Sequence, residues 1–157
     1  MVSGDDLRAA MRRFPAGIAV ATTEIDGRRY GITVGSLVSL SLEPALVGVS
    51  IGRDTQAHEL FREAGGFAIS VLAGDQAALA QHFARSVPPI AQWEGIAARD
   101  GARGPLLDDA LAWLECEVSA EHPAGDHTFF VAHVDHIELG RVGGQGLVYR
   151  EGSYHPA

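Results

Sequence analysis

The stretch GITVGSLVSLSLEPALVGVSIGRDTQ, residues 31–56, decides the fold of this chain. Val, Ile and Leu supply two extended runs, and Glu43-Pro44 marks the turn between them, so we expect a strand pair. Serines, threonines and glycines recur among these apolar residues, where hydroxyls and bare backbone can face a ligand. The stretch therefore predicts a groove for a flat, polar-edged ligand that carries an anion.

Composition limits the classes of function. The chain has 157 residues and 46% hydrophobic residues, which predicts a single domain over residues 1–157 with a proper core. A net charge of −8 argues against non-specific nucleic-acid binding and against an anionic membrane surface, since both need clustered Lys and Arg. No apolar run approaches the roughly 20 residues of a membrane span. One cysteine, Cys116, forbids an internal disulfide and fits a reducing compartment, so we expect a cytoplasmic protein.

Local patterns predict short strands and a few helices. A helix over about residues 5–13 is capped by Ser3 and carries Leu7, Ala10, Met11 and Phe14 on one face. Two further helices are expected, one capped by Asp54 or Thr55 and ended by Gly65-Gly66, the other capped by Asp75 and running to about Ala84. Strands are predicted over residues 17–23, 28–34, 45–51, 67–72, 112–119, 128–139 and 147–150, with a tight turn at Asp26-Gly27. Residues 85–104 are expected to be irregular, with one short strand over 95–98.

Many short strands and brief helices favour an all-β antiparallel barrel with two or three short flanking helices. The GxGxxG fingerprint is missing from the first strand and turn, and GxxxxGK[ST] occurs nowhere, so a Rossmann fold and a P-loop are disfavoured. A nucleotide ligand would have to bind in another way.

Several ordered blocks resemble the flavin reductase-like family, the short-chain NAD(P)H:flavin oxidoreductase components of two-component flavin monooxygenases. The likeness extends from about Leu7 to Tyr154 and is carried by FPAGIAV at 14–20, GITVGSLVSLSLEP at 31–44, FA at 83–84, GPLL at 104–107, GDH at 125–127 and LVY at 147–149. The resemblance implies an FMN-binding split barrel of Greek-key type and a homodimer. It also implies bound FMN or FAD that NADH or NADPH reduces, and a monooxygenase partner.

The groove residues match the chemistry of a flavin. An isoalloxazine ring needs exposed backbone amides and a flat apolar wall, while its phosphate needs N–H and hydroxyl donors, a cation and the positive end of a helix. The resemblance adds Phe83 and Ala84 as the opposite side of the groove. The cofactor-binding candidates are Thr33, Val34, Gly35, Ser36, Leu37, Ser39, Leu40, Ser50, Ile51, Gly52, Arg53, Thr55, Gln56, Phe83 and Ala84.

The block Gly125-Asp126-His127 is the second focus. By itself, a His after a Gly-Asp turn is more often the solvent-facing start of a strand. The resemblance places all three residues beside the nicotinamide of NAD(P)H, with Asp126 as a turn or orienting group, His127 as the catalytic candidate and Tyr154 as a cover. Hydride transfer needs stacking and orientation, which a positioned imidazole supplies. His133 and His136 point to opposite faces of one strand, so no metal site is expected.

Gly52-Arg53-Asp54 departs from the family pattern, which has a serine-containing phosphate loop there. Arg53 would strengthen phosphate binding, whereas Asp54 would repel a phosphate unless it is turned away as a helix cap. The choices between FMN and FAD, between NADH and NADPH, and between bound and diffusing flavin stay open.

The sequence thus predicts an NAD(P)H-dependent flavin reductase that supplies reduced flavin to a partner monooxygenase. One alternative is a flavin-binding carrier or interaction module with little reductase turnover. A second is a split barrel without a cofactor. The Gly125-Asp126-His127 block favours the enzyme.

Overall fold

The computed structural model describes all 157 residues, and it contains twelve strands and four helices joined by turns and loops. The helices are α1 (Gly4–Met11), α2 (Gln56–Ala64), α3 (Ala77–Ala84) and α4 (Pro89–Gln92). The strands are β1 (Ala16–Gly17), β2 (Ala19–Ile25), β3 (Arg28–Val34), β4 (Val38–Leu42), β5 (Ala45–Gly52), β6 (Gly66–Val71), β7 (Ala98–Arg99), β8 (Leu106–Leu107), β9 (Ala112–Ala124), β10 (His127–Leu139), β11 (Leu147–Arg150) and β12 (Ser153–Pro156). None of the four helices has the length and apolar composition of a membrane-spanning helix.

Seven strands form one antiparallel sheet in the order β3-β2-β6-β9-β10-β5-β4. Strands β1, β11 and β12 form a second sheet, and β7 pairs with β8. The sheet curls, because the Ser36 hydroxyl just after β3 bonds to the backbone of Ser50 in β5, although β3 lies at the far end of the strand order. The predicted all-β class with short helices is confirmed.

The core fills the inside of this curl. Phe61 of α2 stacks on Phe67 of β6 with ring centroids 5.5 Å apart, and the edge of Phe130 in β10 meets Phe61. All three rings are fully buried. Helix α2 is therefore anchored against β6 and β10.

The hairpin between β2 and β3 is confirmed at the predicted turn. Asp26 and Gly27 have φ values of 51° and 76°, so both central residues of the two-residue turn are left-handed. Two-residue hairpins prefer this turn because its twist matches that of the strands, and Asp-Gly tolerates it well. The pairing it sets brings Thr33 opposite Val20.

The helix ends differ from the prediction at two places. Helix α1 has a full capping box between Ser3 and Asp6 but ends at Met11, and it buries no residue. The N-cap of α3 is Gln76 and not Asp75, whose carboxylate instead accepts a hydrogen bond from Arg141 at 2.9 Å. An ion pair with a distant residue thus replaces the local cap.

Several elements differ from the predicted ranges. Strand β8 (Leu106–Leu107) was not predicted, and β7 (Ala98–Arg99) is formed in place of the short strand expected over residues 95–98. Helix α4 begins at Pro89, where a fixed φ suits the first helical turn, within a segment expected to be irregular. Strand β12 returns along β11 after a turn at Glu151 and Gly152, both with positive φ. Strand β9 extends to Ala124, five residues beyond the predicted end, because β10 pairs with it up to His127.

Candidate functional site

A cavity of about 650 Å³ opens between the end of β3, the end of β5 and the turn before β10. We call it the groove, and its lining residues are Ile32, Thr33, Val34, Gly35, Ser36, Ser50, Ile51, Gly52, Arg53, Asp54, Thr55, Asp126 and His127. A side chamber of about 290 Å³ adjoins it and shares Ile32, Asp54 and Thr55. The other residues of the side chamber are Tyr30, Gln56, Phe83, Ala84, Arg85, Ser86 and Val87.

The structure brings most of the sequence-predicted site residues together. Those that line the groove are Thr33, Val34, Gly35, Ser36, Ser50, Ile51, Gly52, Arg53, Thr55, Asp126 and His127, while Gln56, Phe83 and Ala84 line the side chamber. Five others line neither cavity: Leu37, Ser39, Leu40, Gly125 and Tyr154. Ser39 and Leu40 lie exposed on β4, and the Tyr154 ring packs on Tyr149 in the second sheet.

Three hydroxyls of the predicted site donate to the chain itself. Thr33 Oγ1 donates to the Ala80 carbonyl at 2.6 Å, and Thr55 Oγ1 donates to the Gly52 carbonyl at 2.7 Å. Ser36 Oγ accepts from the Ser50 amide at 2.9 Å and donates to the Ser50 carbonyl at 3.1 Å. Because a hydroxyl has a single hydrogen, none of the three is free to donate to a phosphate in this geometry.

Donors for an anion come from elsewhere in the groove. Arg53 is exposed and forms no ion pair. In α2, a helix of nine residues, the N–H groups of Gln56 and Ala57 have no backbone acceptor, whereas the His58 N–H donates to the Thr55 carbonyl at 3.3 Å. The start of the helix also carries a partial positive charge. Both features lie next to Thr55, so this end of the groove suits a phosphate.

Asp54 does not act as the helix cap. Thr55 holds the N-cap position of α2, and Asp54 lines both the groove and the side chamber. Its carboxylate adds a negative charge to the groove that Arg53 also lines, and so partly offsets the charge of Arg53. The electrostatic attraction for a phosphate at this end of the groove is therefore weaker than Arg53 alone would provide.

Gly52 forms the floor of the groove. A Cβ at this residue would lie 3.0 Å from Asp54 Oδ1, 3.3 Å from Thr55 Cγ2 and 3.8 Å from His127 Nε2. Gly52 also pairs with His127 in the β5–β10 ladder. The missing side chain thus leaves space between the anion end and the imidazole.

His127 lies at the mouth of the groove, and its ring is oriented by its neighbour. Its Nδ1 lies 2.7 Å from Asp126 Oδ1, and this hydrogen bond, followed by the charge of the imidazole, lowers the pKa of Asp126. An ionised carboxylate only accepts, so Nδ1 carries a hydrogen and Nε2 faces the groove beside Gly52. The Arg53 amide donates to the Asp126 carbonyl at 2.9 Å and ties this turn to β5.

A buried glutamine fixes the wall of the side chamber. The Gln92 amide accepts from Gly31 N at 3.0 Å and donates to Gly31 O at 2.8 Å, which holds α4 against β3. The Phe83 ring lies only 2.8 Å from where a Cβ on Gly31 would be. Sequence reasoning missed Gln92, Arg85 and Ser86; for the last two, their position directly after Phe83-Ala84 is the signal that could have identified them.

The groove fits a flavin in size and chemistry. Its volume lies within the range of sites for organic ligands, about 300–1,000 Å³. Ile32, Val34 and Ile51 provide apolar surface, Gly35 and Gly52 expose backbone, and Arg53 with the start of α2 provides the anion end. No group of three or more His, Cys, Asp or Glu side chains is arranged to hold a metal ion.

Comparisons with known proteins agree with this chemistry. The chain is 38% identical over 152 residues to the NADH-dependent FMN reductase AsuE2 of Streptomyces nodosus subsp. asukaensis, covering 95% of this chain and 82% of that protein. It is 34% identical to the reductase component of 4-hydroxyphenylacetate 3-monooxygenase of Thermus thermophilus, over 94% of this chain and 92% of that one.

Solved structures give the same result for the fold. The NADH:FAD oxidoreductase SgcE6 of Streptomyces globisporus superposes with a TM-score of 0.92 at 30% identity, over 100% of this chain and 96% of that one. BorF, the flavin reductase component of a bacterial two-component tryptophan halogenase, superposes with a TM-score of 0.91 at 33% identity, over 98% of both chains. These similarities confirm the expected split-barrel fold. The sequence model described as "Flavin reductase like domain" matches residues 11–157, and the chain belongs to that family.

Proposed function

We propose that this protein is an NADH-dependent flavin reductase that passes reduced flavin to a partner monooxygenase. The observation that carries the proposal is a single groove with an anion end at Arg53 and α2 and an oriented imidazole, His127, at its mouth. Its relatives support the reductant and the partner, since they are named as NADH-dependent flavin reductases and as reductase components of monooxygenases.

Residues at different positions in the groove have different roles in the proposed reaction. A bound flavin, FMN or FAD, would supply the hydride acceptor, its N5 atom, for a hydride from the nicotinamide. Residues 33–36 and 50–52 form the wall and floor against which the ring would lie, while Arg53 and the start of α2 hold the phosphate. Asp126 keeps the hydrogen of the neutral His127 ring on Nδ1, and in that form Nε2 would accept a hydrogen bond from the carboxamide of the nicotinamide. The protein contributes orientation and not a strong acid or base.

The expected homodimer is part of the proposal. Strand β4 is at the edge of the large sheet, and its Val38, Leu40 and Leu42 are 41%, 44% and 90% exposed. An exposed apolar edge strand favours association with another strand or surface.

Leu37, Ser39 and Leu40, which the resemblance assigns to the cofactor, lie on or beside this edge. Their cofactor role, and those of Gly125 and Tyr154, rest on the resemblance. The single-domain organisation is proposed from the length and composition of the chain, and the cytoplasmic location from its single cysteine, which fits a reducing compartment.

Stopped-flow mixing of the protein with NADH or NADPH, each with FMN or FAD, tests the function. We expect NADH absorbance to fall only when a flavin is present, and the four combinations rank both ligand choices. Flavin fluorescence quenching without NADH oxidation would instead identify a carrier. Absence of any quenching would identify a barrel that binds no flavin.

A further inference from the structure

A hydrogen-bonded series of three side chains joins α2 to β10. His58 Nδ1 lies 2.9 Å from Glu59 Oε1, and His58 Nε2 lies 2.7 Å from Thr128 Oγ1. His58 and Thr128 are only 5% and 7% exposed, and the edge of the imidazole meets the ring of buried Phe130. A polar pair in this position is costly to bury unless both members are satisfied, so it requires an explanation.

The direction of the two bonds follows from Glu59. The hydrogen bond from His58 is the main cause that lowers the pKa of the Glu59 carboxyl, so this carboxylate is ionised at neutral pH and only accepts. Nδ1 of His58 therefore carries the hydrogen. In the neutral ring Nε2 is then an acceptor, and the Thr128 hydroxyl donates to it.

Hydroxyl, imidazole and carboxylate in this order also occur where a hydroxyl acts as a nucleophile. Here the Thr128 hydroxyl is buried and lines neither the groove nor the side chamber, so no substrate reaches it through them. The series holds structure and does not attack a ligand.

The two partners of the buried bond, His58 and Thr128, are each close to one half of the site. His58 is three residues after Thr55, at the anion end of the groove, and Thr128 directly follows His127 at its mouth. Apart from strand pairing, the turn at Asp126 is tied to the groove wall by the bond from the Arg53 amide. The His58–Thr128 bond is the side-chain hydrogen bond that joins α2 to the second residue of β10.

We propose that His58 and Thr128 are positioning residues that fix His127 relative to the N-terminus of α2, and so fix the nicotinamide relative to the flavin. The inference rests on the proposed function of the groove. A positional shift of about 1 Å at a reacting centre can lower a rate by as much as about a hundredfold, so a link of this kind matters to the hydride step.

The test removes the bond from either side and measures two quantities, the hydride-transfer rate and the flavin Kd. Thr128→Val keeps the shape of the side chain but loses the hydroxyl, and His58→Leu removes the acceptor. For each we expect the hydride-transfer rate at saturating NADH and flavin to fall about tenfold, while the flavin Kd stays within about twofold. The double variant should fall no further than either single one, because both remove the same bond. Thr128→Ser, which retains the hydroxyl, should restore most of the rate.

Thr23→Val is the matched control. Thr23 is 1% exposed and its hydroxyl bonds to the Gly66 carbonyl at 3.2 Å, away from the groove, so this variant also loses one buried bond but should keep the wild-type rate. The inference is wrong if Thr128→Val transfers hydride at the wild-type rate, if Thr23→Val loses as much, or if Thr128→Ser rescues nothing. If one of the two variants, Thr128→Val or His58→Leu, does not fold, the other is enough to test the inference. A wild-type protein that oxidises no NADH would instead refute the proposed function.

Discussion

At the scale of single residues, Gly52 decides how much room the groove has. A methyl group there would lie 3.0 Å from Asp54 Oδ1 and would enter the floor beneath the proposed flavin ring. Gly52→Ala should raise the flavin Kd about tenfold, the equivalent of about 1.4 kcal/mol, while leaving the fold intact because Gly52 has an ordinary strand backbone. Titration of flavin fluorescence measures the Kd.

The control for this variant is Gly4→Ala, since a Cβ on Gly4 meets nothing within 4 Å. It should bind flavin as the wild type does. Equal affinities for Gly52→Ala and the wild type would mean that the ring does not lie over this floor.

A substitution at His127 should affect the binding of NADH but not the binding of flavin. His127→Ala removes the acceptor at the mouth and leaves the anion end unchanged, so flavin affinity should be spared while the apparent KM for NADH rises about tenfold. Initial-rate kinetics at saturating flavin measure the change. Unaltered NADH kinetics would show that the nicotinamide role assigned to His127 is wrong.

Cys116 should be chemically inert in the native protein. Burial, and to a lesser degree the negative charge of Asp135, raises the pKa of its thiol from 9.0 to about 12. Between these two values the unfolded thiol ionises while the native thiol stays protonated, so native stability should decline as pH rises from about 9 to about 12. A thiol reagent at pH 8 should react with denatured protein and hardly with native protein. Comparable rates would contradict the burial of this residue.

At the scale of elements, Ser36 links the segment after β3 to β5. Ser36→Ala leaves the amide and carbonyl of Ser50 without this partner and should lower the free energy of unfolding by about 1–2 kcal/mol. Denaturant unfolding measures the loss. Ser39→Ala, at an exposed hydroxyl of β4 that forms no intramolecular hydrogen bond, should change stability by less than about 0.5 kcal/mol. Equal midpoints for the two variants would refute the linking role.

The same serine shows what a sequence can and cannot reveal. Strand β3 and the Asp26-Gly27 turn were predictable, because apolar pattern and turn chemistry are local. That Ser36 lines the groove was also predictable, from the hydroxyls and glycines that recur along residues 31–56. That its hydrogen is engaged by Ser50 was not, since the bond depends on a residue brought near by the curl of the sheet. Gln92 escaped prediction for the same reason, as its partner Gly31 is 61 residues away.

At the scale of the whole molecule, the exposed apolar edge of β4 predicts a dimer. Light scattering after gel filtration should give twice the mass of one chain. Leu40→Lys places a charge on that edge and should shift the protein to a monomer. Ile90→Lys, at a side chain that is 90% exposed on α4, is the matched control and should remain dimeric. A monomeric wild type would show that the chain does not form the expected dimer. A dimeric Leu40→Lys variant would show that the dimer interface lies elsewhere on the surface.

The inward-directed hydroxyls of Thr33, Ser36 and Thr55 have a kinetic consequence. A flavin that enters the groove gains no hydrogen bond from these three donors, and when it departs none of them loses a partner. Its escape would be opposed chiefly by the phosphate end and by contact with the ring, so we expect a short residence time. A flavin of this kind would behave as a second substrate in steady-state turnover, and reduced flavin would be released in time to reach another protein.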